Sequence, residues 1–211
     1  GSCLNMPMPI KAVFFDMGGT IDTFRYTRDY RIANAHFFRE CLQREDVSLN
    51  LTDEQIADLI TGRISDYHCW NRASHIELPS SEIWSKYIFH DLEANPAVFE
   101  KIGEELSLLY EIKYYLREPR PEVPAVLQAI KEMGLRIGCV SNTPSIGQVP
   151  HNLTEYGIRE YFDPIVLSSE YGRRKPDPSI FYYAARQANL PTSACAFVGD
   201  KINRDILGAR R

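Results

Sequence analysis

Four short apolar runs, Ala12–Asp16, Arg136–Ser141, Pro164–Ser168 and Cys195–Asp200, constrain the fold of this chain most tightly. Each is almost continuously hydrophobic instead of alternating, the pattern of strands covered on both faces, as in a parallel sheet. Helical patterns separate the last three: Val123–Met133 ahead of Gly134, a stretch around Leu153, and Ser179–Ala188. Strands alternating with helices predict an α/β fold on a doubly wound, Rossmann-like parallel sheet.

The first and second runs lie about a hundred residues apart, and that interval reads as helical throughout. In LTDEQIADLITGRISDYHCW, Thr52 and Gln55 stand in capping-box spacing, and Ile56, Leu59, Ile60, Ile64 and Tyr67 recur at helical intervals. In NPAVFEKIGEELSLLYEIKYYL, Asn95 is the expected N-cap and Pro96 the first helical residue, with Val98, Ile102, Leu106, Leu109 and Tyr110 as the apolar stripe. TRDYRIANAHFFRECL and SSEIWSKYIFHDL each supply a further helix. Such a succession predicts a small helical bundle inserted into the sheet domain, with REPRPEVP (Arg117–Pro124) as the return hinge. The expected organisation is a core of residues 1–24 and 118–211 and a helical cap of residues 25–117. Trp70, Trp84, Tyr114 and Tyr115 read as bundle core, and His36, His68 and His75 match no metal-ligand spacing.

A net charge of −4 and a pI near 5.8 argue against nucleic acid as a partner, because a polyanion wants a basic stripe. The five cysteines are odd in number, scattered and without a CxxC pair, so reduced thiols and a cytoplasmic location are expected. No apolar stretch approaches the roughly 18 residues of a membrane span, and the opening GSCLNMPMP has no leader pattern.

In an open α/β sheet, ligands bind beyond the carboxyl ends of the strands. The four runs deliver Asp16, Ser141 with Asn142, the Ser168-to-Lys175 loop and Asp200 to that edge. Each alone is an ordinary turn or helix cap. Their convergence on one edge points to a site.

The chain resembles the haloacid dehalogenase-like hydrolase superfamily, with its helical cap inserted after the first strand. FFDMGGTID is similar to the family's nucleophile loop, GCVSNT to its phosphate-binding strand end, RRKPDPSIF to its lysine motif and FVGDKINRD to its acidic metal motif. The resemblance implies that Asp16 is a nucleophile that attacks phosphorus to form an aspartyl-phosphate. It implies a Mg²⁺ held by the Asp16 carboxylate, the Gly18 carbonyl and Asp200, with Asp205 in support. Ser141, Asn142 and Gly19 would hold phosphate oxygens of a small phosphorylated substrate, and Lys175 would offset the charge of the reacting centre.

One part of the family pattern is missing. The position two after the nucleophile usually carries an aspartate that protonates the leaving group; here it is Gly18. General acid–base help is worth ~10²–10⁴-fold, whereas the metal needs only the backbone carbonyl, which glycine keeps. Three readings follow: a phosphatase with its proton donor elsewhere, a branch with different chemistry, or a silent phosphate-binding or interaction protein. Dehalogenases of the family use no metal, so an intact GDKINRD counts against them. A phosphonate hydrolase-like enzyme needs a cap lysine, with Lys86, Lys101 and Lys113 as candidates. Asp22, six residues after Asp16, reads as a structural cap at the hinge, and Arg25, Tyr26 and Arg28 as surface. The resemblance also implies a further edge strand beyond DILGARR, so a shortened C-terminus is expected.

Overall fold

The computed structural model describes residues 9–200. In chain order its strands are β1 (Ala12–Phe15), β2 (Asp22–Arg25), β3 (Leu116–Pro119), β4 (Arg136–Ser141), β5 (Ile165–Leu167) and β6 (Cys195–Val198). The four apolar runs form one parallel sheet in the order β5-β4-β1-β6. Ala12 faces Arg136 and Cys195, and Phe15 faces Cys139 and Val198, so the central strands run in step and end at one edge.

Successive side chains of a strand point to opposite faces. Phe15, Ile137 and Cys139 therefore pack on one side with Leu127 of α6 (Val123–Glu132) and Leu153 of α7 (Gln148–Glu155). Phe14, Val140 and Val166 pack on the other with Ile180 and Ala184 of α9 (Pro178–Gln187). The sheet is covered on both faces, as its unbroken hydrophobic runs require.

Between β1 and β4 the chain leaves and returns through one antiparallel ribbon, in which Asp22 of β2 faces Pro119 of β3 and Arg25 faces Leu116. The sequence marks these segments only as a hinge. Beyond the ribbon lie α1 (Arg28–Asn34), α2 (His36–Gln43), α3 (Asp53–Ser74), α4 (Ser80–Glu82) and α5 (Ala97–Lys113), around a separate apolar core that includes Phe38, Ile60, Trp84, Leu106 and Tyr114.

Most helix signals hold. Thr52 and Gln55 form the reciprocal capping box of α3. In α5 the N-cap is Pro96 and not Asn95, so the helix begins one residue later than expected, although Asn95 Oδ1 still accepts from the Ala97 N–H at 3.0 Å. The single helix expected over residues 27–42 is two, meeting at Ala35. The segment SSEIWSKYIFHDL also departs: after α4 it becomes a π-helical stretch, Ile83–Ile88, with the Phe89 N–H reaching back to the Trp84 carbonyl at 2.8 Å. Hydrophobic spacing records which residues are buried, not which carbonyl each N–H selects. The last helix before the lysine loop is α8 (Ser168–Tyr171), opened by the residue expected to close β5.

Candidate active site

Asp16 follows β1 directly, and its N–H still donates to the Val198 carbonyl at 2.9 Å, so the sheet fixes where its side chain emerges. Oδ1 accepts from the Met17 N–H at 2.8 Å and lies 3.2 Å from Lys175 Nζ. The two side chains are only 11% and 3% exposed, so this charge-assisted contact is largely shielded from water. The loop then closes on itself, with the Ile21 N–H on the Met17 carbonyl at 2.9 Å and the Gly19 N–H on that of Asp22 at 2.8 Å.

Gly19 adopts φ +83°, and a Cβ added there would lie 2.2 Å from Oδ2 of Asp200. Both facts demand glycine. The close approach means that the Asp200 carboxylate, delivered by β6, lies over the loop that carries Asp16. Gly18 needs no left-handed backbone, but its Cβ would fall 2.8 Å from the ring of Phe24.

At the end of β4, Ser141 is buried and Asn142 is bound reciprocally to the lysine loop. Asn142 Nδ2 donates to the Lys175 carbonyl at 3.0 Å, and the Lys175 N–H donates to Asn142 Oδ1 at 2.9 Å. The side chain of Asn142 thus positions Lys175, which restricts any direct hold on a phosphate to its backbone.

Asp16, Gly18, Ser141 and Asn142 open into a cavity of about 250 Å³. The opposite wall comes from the helical block and ribbon: His68, Arg72, Glu77, Glu111, Tyr115 and Arg117. Lys175 reaches this floor through Asp16, and Asp200 through Gly19. Asp205 lies outside the described residues.

The wall is stitched to the core in three places. Glu77, just after α3, accepts through Oε1 from Ser168 Oγ at 2.8 Å and through Oε2 from Asn71 Nδ2 at 3.2 Å and from the Tyr67 hydroxyl. Its N–H donates to the Gly172 carbonyl at 3.0 Å, and the Arg174 N–H donates to the His75 carbonyl at 3.0 Å. Glu104 of α5 caps α7, accepting from the Ile146 and Gly147 N–H groups at 2.9 Å each and from Ser145 Oγ at 2.7 Å.

The third junction is a buried charge network. Arg117 of β3 donates to Glu111 Oε2 at 2.6 Å and reaches Asp22 Oδ2 at 3.4 Å, and the Tyr156 hydroxyl donates to that same oxygen at 2.7 Å. Burial pushes the carboxyls of Asp22 and Glu111 above their ordinary values, while the Arg117 guanidinium pulls them back down. Asp22 is structural, as expected, although it acts as a buried strut and not as a helix cap.

The donor set suits a hard divalent cation. Two carboxylates, Asp16 and Asp200, and the Gly18 carbonyl are all oxygen donors, and among the described residues no group of three or more His, Cys, Asp or Glu is placed to hold a metal ion. Mg²⁺ is ordinarily held this way, by one or two carboxylates with water in the other positions.

Sequence reasoning assigned most of the helical wall elsewhere. Tyr115 reads as bundle core, His68 is set aside for want of metal spacing, and Arg117 reads as hinge. Glu77 and Glu111 carry no local signal at all, since an isolated glutamate near a helix end is normally solvated.

The family description "haloacid dehalogenase-like hydrolase" matches residues 10–211. A glyceraldehyde 3-phosphate phosphatase from Methanothermobacter thermautotrophicus is 32% identical over 209 residues, covering 95% of this chain and 81% of that protein. Among solved structures, a 2-haloacid dehalogenase from Pseudomonas syringae pv. tomato superposes with a TM-score of 0.61 at 22% identity, over 95% of this chain and 82% of that one. The magnesium-bound HAD-hydrolase YfnB from Bacillus subtilis superposes with a TM-score of 0.55 at 16% identity, over 96% and 83%.

Proposed function

The chain belongs to the haloacid dehalogenase-like hydrolase family, and from that premise we propose that it hydrolyses a small phosphorylated metabolite, with Mg²⁺ as cofactor, through an aspartyl-phosphate on Asp16. The observation that carries this reading is the shielded Asp16–Lys175 pair, 3.2 Å apart, with Asp16 on the floor of the cavity. Asp16 supplies the nucleophilic oxygen; Lys175 balances charge as the phosphoryl group transfers. Ser141 and the backbone around Asn142 and Gly19 hold phosphate oxygens. Asp16, Asp200 and the Gly18 carbonyl would hold Mg²⁺, with Asp205 in support, and the ion would neutralise phosphate charge.

Residues 25–117 act as the cap over this floor. The cavity, about 250 Å³, lies below the ~300–1,000 Å³ of sites for drug-sized ligands. That size favours a substrate of a few carbons, in keeping with the three-carbon phosphate named for the archaeal relative. A Schiff-base phosphonate hydrolysis has no support: Lys86 pairs with Glu82, Lys101 pairs with Glu45, Lys113 lies over Phe37, and none of them lines the cavity.

The test is a screen of short-chain phosphorylated metabolites with and without Mg²⁺, with Asp16→Asn as the blank. Metal-dependent phosphate release that Asp16→Asn abolishes is the expected result. Release that survives Asp16→Asn, or none from any substrate, would defeat the assignment.

A further inference from the structure

We propose that Glu111 is the general acid and base of the reaction read above, supplying the proton that the nucleophile loop cannot. An alkoxide leaving group needs a proton as it departs. Met17, Gly18, Gly19 and Thr20, which follow Asp16, contain no group that titrates in the useful range. The donor must come from elsewhere on the cavity wall.

Besides Asp16, two carboxyls line the cavity, Glu77 and Glu111. Both oxygens of Glu77 are engaged, by Ser168 on one side and by Tyr67 and Asn71 on the other. Glu111 uses only Oε2, on Arg117; its Oε1 has no hydrogen-bond partner among the described residues. Glu111 is nonetheless buried, so this oxygen is neither paired nor bathed in bulk water.

Its tether points to the Gly18 side of the cavity. Arg117 holds Glu111 at 2.6 Å and lies 5.3 Å from the centroid of the Phe24 ring, which abuts Gly18. His68, another titratable group on this wall, sits on α3 with the Tyr67 ring as its neighbour, 5.9 Å away. Burial favours the protonated form of Glu111, while the Arg117 charge opposes it and the charges of Glu77 and Asp22 reinforce it; Tyr110 is the other titratable group beside it. A carboxyl balanced in this way can be held protonated and then released.

The step balances. As Asp16 Oδ forms its bond to phosphorus and the bridging P–O bond breaks, protonated Glu111 gives its proton to the leaving oxygen, directly or through one water. The resulting carboxylate then takes a proton from the water that attacks the aspartyl-phosphate. That attack breaks the P–O bond to Asp16 and releases phosphate, leaving Glu111 protonated as at the start.

This inference rests on the phosphohydrolase reading, and kcat/KM separates the two. For a covalent mechanism kcat/KM reports steps up to departure of the leaving group, before the shared hydrolysis step. Wild type and Glu111→Gln are compared on a matched alkyl and aryl phosphate pair with Mg²⁺, folding being followed by thermal melting. We expect kcat/KM for the alkyl ester to fall by ~10²–10⁴-fold, and that for the aryl ester, whose leaving group needs little protonation, by under ~10-fold. Equal losses on both, or no loss, in a folded variant would overturn the role of Glu111 and leave the phosphohydrolase intact. A wild type inert on both would overturn both readings. If Glu111→Gln fails to fold, the wild-type pH profiles decide: alkyl kcat/KM should fall at high pH where aryl kcat/KM holds, and parallel profiles would refute the proposal.

Discussion

The ring of Phe24 stands where a side chain on Gly18 would begin: an added Cβ would lie 2.8 Å from its Cε1. The absence of an aspartate at position 18 is thus matched by a neighbour that has taken the space. Phe24 is 45% exposed, but it packs edge-on against Tyr115 and lies 5.3 Å from the Arg117 guanidinium, so turning it away gives up both contacts.

Restoring the aspartate therefore needs two changes. Gly18→Asp alone should lose about 1–3 kcal/mol of stability, the usual cost of overpacking, and Gly18→Asp with Phe24→Ala should recover most of it. In the Glu111→Gln background the double replacement should raise alkyl-phosphate turnover by about tenfold or more, within the range of general acid–base catalysis. Thermal melting and the alkyl/aryl pair provide the readouts. Equal stability of the two variants would mean that Phe24 does not obstruct position 18.

Metal binding should depend on the Gly19–Asp200 approach. A side chain on Gly19 meets Oδ2 of Asp200 at 2.2 Å and must also adopt φ +83°. Gly19→Ala should therefore lower Mg²⁺ affinity nearly as much as Asp200→Ala, with Gly18→Ala affecting it less, because only the carbonyl of Gly18 is used. Calorimetric titration of the three folded variants tests this ordering. Unchanged affinity in Asp200→Ala would remove that residue from the metal site.

Cap movement should be controlled by Glu104. One carboxylate from α5 satisfies the Ile146 and Gly147 N–H groups at the start of α7, so in the proposed cap movement closure and capping of a core helix would coincide. Glu104→Ala should cost ~0.5–2 kcal/mol, as the loss of an N-cap does. It should also speed hydrogen exchange at residues 145–150 and at the ribbon segments Thr23–Thr27 and Arg117–Pro121. A phosphate analogue should slow exchange at the ribbon in the wild type. Identical exchange in free, bound and variant forms would rule out a hinge there.

Stability should carry the signature of Asp22. Its carboxyl is raised above the ordinary 3.8 by burial, so the folded state binds its proton more tightly than the unfolded one. By linkage, this contribution is favourable at low pH, declines as pH rises from about 3.8 through the raised value, and is flat above it. The stability of wild type relative to Asp22→Asn should therefore fall across that window. Urea denaturation from pH 3 to pH 8 on both proteins would show the slope; a rise instead would mean that Arg117 and Tyr156 stabilise the anion outright.

The floor of the site could be read from the chain because its parts are local. Asp16, Ser141 and Asp200 each close a hydrophobic run, and Lys175 sits in a loop whose prolines and charges stand out. In a parallel sheet such ends gather without further instruction. Glu111 and Glu77 are legible only in three dimensions. Their surroundings are built from Arg117, Asp22 and Tyr156, or from Ser168 and Tyr67, which lie up to 91 residues away in sequence.

From its hydrophobic periodicity alone, this sequence determined a doubly wound sheet, an inserted helical block and the edge at which Asp16, Lys175 and Asp200 meet. Burial of apolar runs leaves few other arrangements for such a pattern. Only the tertiary structure decided that Phe24 fills the space beside Gly18, that Asn142 holds Lys175, and that one oxygen of the buried Glu111 is left over on the cavity wall. These are matters of side-chain contact across the ribbon, where a shift of an ångström changes the chemistry and no periodicity records it.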